Sequence, residues 1–90
     1  MKRLHLIISG TVQGVFFRDF VNKTANSLKL KGFVKNNSDR TVEVIAEGSE
    51  ESLRELLDKC RQGPDAAKVE KIEDSWEDAS DEFDSFEIRY

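Results

Sequence analysis

The sequence predicts an α+β sandwich in which two helices cover one face of an antiparallel sheet, and three observations predict it. Apolar residues alternate in short runs, they recur at helical spacing in two longer stretches, and Gly, Pro and Asn-Ser-Asp clusters mark the boundaries. The 90 residues fit one domain spanning 1–90. Its core must be small, because folding at this length buries only about 60 to 65% of the extended chain's surface.

Leu4 to Ser9 is apolar at Leu4, Leu6 and Ile8, with Ile7 added, and reads as a central first strand. Phe17, Phe20, Val21, Thr24, Ala25 and Leu28 recur at i, i+3, i+4, i+7, i+8 and i+11, the stripe of a helix of about three turns. Leu30 to Asn37 and Thr41 to Glu47 read as a hairpin joined by Ser38, Asp39 and Arg40. That connection lacks glycine, so any positive φ is expected at Asn37 or Asp39, which accept it at lower cost than arginine. Lys29, at the end of the first helix, faces the same question. Ser49 suits an N-cap, Glu50 and Glu51 suit a helix start, and Leu53, Leu56, Leu57 and Cys60 form a second stripe closed by Gly63 and Pro64. Val69 to Trp76 reads as a fourth strand in which Val69 is out of phase with Ile72 and Trp76, predicting a bulge or a late start. Glu77 to Glu82 reads as an acidic loop, and Phe83 to Tyr90 as a last strand alternating at Phe86, Ile88 and Tyr90. The order βαββαβ plus a fifth C-terminal strand is the split βαβ, or ferredoxin-like, arrangement.

The chemistry concentrates between the first strand and the first helix, in Ile8-Ser-Gly-Thr-Val-Gln-Gly-Val-Phe-Phe-Arg18. Gly10 and Gly14 let the backbone bend and approach a ligand, so the N–H groups between them can converge on one anion. The helix start adds unpaired donors and Arg18 adds a fixed cation, a set that suits a phosphoryl group.

These residues resemble the first signature of the acylphosphatase family, G-x-V-Q-G-V-x-F-R, at Gly10, Val12, Gln13, Gly14, Val15, Phe17 and Arg18. A second family segment resembles Gly32-Phe33-Val34-Lys35-Asn36, then Thr41-Val42-Glu43 and Gly48. The resemblance spans the chain and departs from the family at Arg40 and Lys29, where glycine is usual. It implies an enzyme that hydrolyses the carboxyl–phosphate bond of a small acyl phosphate to a carboxylate and inorganic phosphate, without metal or cofactor. Arg18 would clamp the phosphoryl oxygens beside main-chain groups of Gly10, Thr11, Val12, Gln13, Gly14, Val15 and Phe16. Asn36 would orient the attacking water, and a phosphoryl oxygen of the substrate would take its proton, since the loop holds no His, Cys or Glu. Gln13 could brace the loop. An acylphosphatase-like domain serving as a non-catalytic binding or accessory module is the alternative; the 90-residue span is expected to be a stand-alone enzyme.

Composition narrows the other classes. Residues 1–40 hold eight Lys and Arg against two Asp, and residues 41–90 hold six against sixteen Asp and Glu. The candidate loop therefore lies in the basic half, while the net charge of −4 argues against a long nucleic-acid groove. No RNP1-like basic and aromatic run appears on Thr41 to Glu47, which carries Glu43 and Glu47 instead. No apolar stretch approaches a membrane span or a signal-peptide core, so a cytoplasmic monomer acting on a small molecule is expected. The single cysteine, Cys60, cannot form an internal disulfide and reads as a core thiol, and no Cys/His cluster offers a zinc site. His5 is out of phase with the core residues of its strand and reads as a residue of the opposite face. Asp19 reads as a helix-start acid, and Phe33, Trp76 and Tyr90 read as packing residues.

Overall fold

The computed structural model describes residues 1–90, with the elements β1 (Lys2–Thr11), α1 (Phe17–Ser27), β2 (Lys31–Asn36), β3 (Val42–Gly48), α2 (Glu50–Gln62), β4 (Lys68–Asp78) and β5 (Phe86–Arg89). They build one five-stranded sheet in the order β4-β1-β3-β2-β5. The first four strands pair antiparallel, whereas β5 lies parallel to β2, Val34 opposite Ile88, so the sheet is mixed rather than wholly antiparallel.

Strand alternation decides which face is buried. Leu4, Leu6 and Ile8 of β1, Val34 of β2, and Val42, Val44 and Ala46 of β3 are fully buried beneath the helices. Phe17, Val21 and Ala25 of α1 and Leu53, Leu56, Leu57 and Cys60 of α2 close the core from above. The α2 ends follow the sequence: Ser49 accepts a hydrogen bond from the Ser52 N–H at 3.2 Å, and Gly63 ends the helix. The out-of-phase Val69 has its cause in a register shift, with Ser9 opposite Lys71 but Gly10 opposite Val69, leaving Glu70 as the extra residue.

Several boundaries move. β1 runs on through Gly10 and Thr11, and β4 extends to Asp78, because the two strands pair along their whole length; the expected acidic loop therefore begins only at Ala79. The positive φ of the β2–β3 connection falls on Arg40, at 74°, and not on Asn37 or Asp39. Those two residues are committed elsewhere: the Asp39 carboxylate accepts from the Thr41 N–H and hydroxyl, and the Asn37 N–H bonds the Thr41 carbonyl. Lys29 is likewise left-handed, at 60°. β5 starts at Phe86 rather than Phe83, which instead meets Phe33 edge-on at 5.9 Å. Phe33 is buried and Trp76 packs against the core, as expected, but Tyr90 is 96% exposed beyond the end of β5 and is not a packing residue.

The face away from the helices is polar and cross-linked. His5 lies there as expected, its Nε2 2.6 Å from Glu43 Oε2. Glu47, buried, accepts from Arg3 Nε at 2.7 Å, from the Ser80 N–H and hydroxyl, and from the Asp81 N–H; Arg3 also pairs with Glu82. Burial alone would raise the Glu47 carboxyl, but the donors from Ser80, Arg3 and Asp81 outweigh it and hold the pKa below the usual value. These bonds fasten the 79–85 segment, and with it the start of β5, across the sheet.

Candidate functional site

The segment between β1 and α1 is shaped by where its side chains can go. Val12 and Phe17 are 1% exposed and anchor its two ends in the core, which forces the residues between them into a tight arch. Gly14 takes φ 74° there, and Phe16 takes φ 61° and ψ 23° as the residue capping α1, with no side-chain cap. Gly10 is needed for a different reason: a Cβ at this position would run into the Lys68 carbonyl of the neighbouring strand. None of the N–H groups of Val12 to Phe16 donates to a backbone carbonyl. They are grouped at the N-terminus of α1, where the helix dipole also favours negative charge.

Gln13 fixes the arch to the hairpin. Its Nε2 donates to the Asn37 and Thr41 carbonyls, each at 2.9 Å, tying the loop to the end of β2. The brace expected of this side chain is therefore present, and it sets the loop beside Asn36, the last residue of β2.

A cleft of about 500 Å³ opens between these elements, lined by Val12, Gly14, Phe16, Phe17, Arg18 and Asp19 from the loop and helix, Asn36 from β2, and Ile88 and Tyr90 from the C-terminus. Arg18 and Asn36, distant in sequence, thus share one wall-to-wall space. The Arg18 guanidinium lies 4.8 Å from the centre of the Tyr90 ring, and Asp19 turns to Lys23 at 3.1 Å instead of neutralising it. Asn36 Oδ1 is the one buried side-chain oxygen or nitrogen without a hydrogen-bond partner. Of the other loop residues singled out in the sequence, Gly10 and Thr11 sit in β1, and Gln13 and Val15 do not line the cleft.

Comparison with known proteins identifies the family. The family model described as Acylphosphatase matches residues 4–88. An acylphosphatase of Dehalococcoides mccartyi is 44% identical with the whole of both chains aligned. The chain belongs to the acylphosphatase family. Hydrolysis of acyl phosphates is that family's function, and the chain is an enzyme of this class. The crystal structure of acylphosphatase from Bacillus subtilis superposes with a TM-score of 0.96 at 37% identity, covering all of both chains. A full-length HypF structure, in a phosphate- and nucleotide-bound form, matches the whole chain with only 12% of its own length, at 29% identity and a TM-score of 0.88.

Sequence reasoning did not find Ile88 and Tyr90 as neighbours of the acylphosphatase cleft. The signal was present in their phase. Val34 faces Ile88 across the parallel β2–β5 pair, so the residues two further on, Asn36 and Tyr90, continue on the same side. What the sequence did not supply was the pairing itself.

Proposed function

We propose that the loop N–H groups of residues 12–16 and Arg18 hold the phosphoryl group of a small acyl phosphate while Asn36 orients the attacking water. The observation that carries this reading is the meeting, in one cleft, of an unneutralised arginine, the loop residues Val12, Gly14 and Phe16 whose N–H groups have no backbone acceptor, and Asn36. Donors of this kind, fixed before the substrate arrives, stabilise the charge that spreads over the phosphoryl oxygens in the transition state. The amide of Asn36 can hydrogen-bond a water and so direct its lone pair at phosphorus, which is positioning rather than proton removal.

In this reaction the water oxygen bonds to phosphorus, the bond from phosphorus to the acyl oxygen breaks, and the carboxylate leaves. The water's proton passes to a phosphoryl oxygen of the substrate, so no protein base is required. His5, bound to Glu43 on the far face of the sheet, stands outside this chemistry.

We infer a cytoplasmic monomer with no nucleic-acid or membrane partner. Only Met1, Phe16 and Tyr90 are large apolar side chains left exposed, and two of them border the cleft, so little apolar surface remains for self-association. No helix is long and apolar enough to cross a membrane. The open sheet face, which an RNA-binding protein of this topology would use, carries Glu43 and Glu47 bound to His5 and Arg3.

Hydrolysis of benzoyl phosphate with a chelator present tests the reading. Rapid, chelator-resistant release of phosphate, with a pH–rate profile free of a single carboxylate or imidazole step, is the expected result. A folded chain without turnover would favour the non-catalytic module instead.

A further inference from the structure

The exposed aromatic rings point to a preference at the acyl end of the substrate. Phe16 is 82% exposed and Tyr90 96% exposed, and both border the cleft, together with Ile88. Exposed rings scattered singly need no explanation, but two on one cleft do. Phe16 is the more telling, because its neighbour Phe17 is buried while Phe16 is held outward in the left-handed region, a strained conformation for a bulky residue. Its ring neither caps α1 nor enters the core. Tyr90 places one face against Arg18, leaving the rest of its ring to solvent.

We propose that Phe16 and Tyr90, with Ile88, form an aromatic clamp for the acyl group, so that the enzyme favours acyl phosphates with an aromatic acyl group over acetyl phosphate. The inference rests on the acyl phosphate reading above and adds the end of the substrate that the loop and Arg18 leave free. With the phosphoryl group held at Arg18, the acyl group extends along the apolar residues of the same cleft. A planar acyl ring can then stack offset or edge-on against Phe16 and Tyr90, contacts that an acetyl group cannot make.

The test compares kcat/KM for benzoyl phosphate and acetyl phosphate in the native chain, Phe16→Gly and Phe16→Tyr, with each variant's fold checked by circular dichroism. Phe16→Gly suits the left-handed backbone while removing the ring. The benzoyl-to-acetyl ratio should fall about fivefold in Phe16→Gly, the scale of one aromatic contact, and return in Phe16→Tyr. On the native chain alone, phenylphosphonate should inhibit about fivefold more tightly than methylphosphonate. Equal inhibition by the two phosphonates, or a ratio that Phe16→Gly leaves unchanged, overturns the clamp while hydrolysis stands. A native chain that turns over neither substrate overturns the hydrolysis reading, and the clamp with it.

Discussion

The guanidinium of Arg18 lies over the ring of Tyr90, 4.8 Å from its centre, although the two residues stand at opposite ends of the chain. The contact closes a circuit: α1 presents Arg18, β2 presents Asn36, and β5, parallel to β2, returns Tyr90 to the arginine. A cation on an aromatic face contributes about 0.5 to 1 kcal/mol at an exposed site. Tyr90→Ala should therefore lower kcat/KM by about three- to fivefold with little change in melting temperature, and Tyr90→Phe should restore it. Steady-state kinetics of the two variants check this, and an equal loss in both would assign the effect to the phenol hydroxyl instead.

Acid sensitivity follows from the carboxylates of the open face and the hairpin. Hydrogen bonds to Glu47, Glu82 and Asp39 hold all three below their usual pKa, for Glu82 chiefly through Arg3 and for Asp39 through Thr41. The unfolded chain then binds more protons than the folded one in the acid range, so the stabilisation is present above pH of about 4.5 and is lost as pH falls through the folded values. The raised Arg3 contributes constantly across that range, since its stabilisation fades only above the arginine pKa. Glu47→Gln, which leaves Arg3 without its buried partner, should cost about 2 to 4 kcal/mol at neutral pH and flatten the acid slope of the melting temperature. An unchanged slope in that variant would remove Glu47 from the explanation.

Two positions carry strain that the chemistry does not use. Arg40 at φ 74° and Lys29 at φ 60° are exposed residues outside the cleft, each in a conformation that glycine adopts freely. Arg40→Gly and Lys29→Gly should each stabilise the fold by up to about 1 kcal/mol and add in the double variant, without altering turnover. Thermal melts of the three variants provide the check.

The parts of the molecule that the sequence disclosed are those whose cause is local. The stripe from Phe17 to Leu28, the Ser49 cap and the glycine-framed loop each arise within a dozen residues, where spacing and turn chemistry act directly. Arg40 was misjudged because Asn37 and Asp39, better suited to positive φ, are held by Thr41, a competition that only the closed hairpin reveals. Nothing in the sequence marks Glu47 as buried; its burial depends on Ser80 and Asp81, which reach it from beyond β4. Tyr90 was in phase with Phe86 and Ile88 and so read as core, yet the strand ends at Arg89 and leaves it at the cleft mouth. The parallel pairing that brings it there has no short-range signature.

The proposed division of labour between Arg18 and Asn36 is tested most directly by measuring phosphate binding and acyl phosphate turnover together in Arg18→Ala and Asn36→Ala, both confirmed as folded. Arg18→Ala should lose phosphate binding and at least about 10²-fold in turnover, the scale for one preorganised donor to a charged transition state. Asn36→Ala should bind phosphate as the native chain does while turning over at least about 10²-fold more slowly. Phosphate binding abolished in Asn36→Ala, or native turnover in Arg18→Ala, would contradict the assignment.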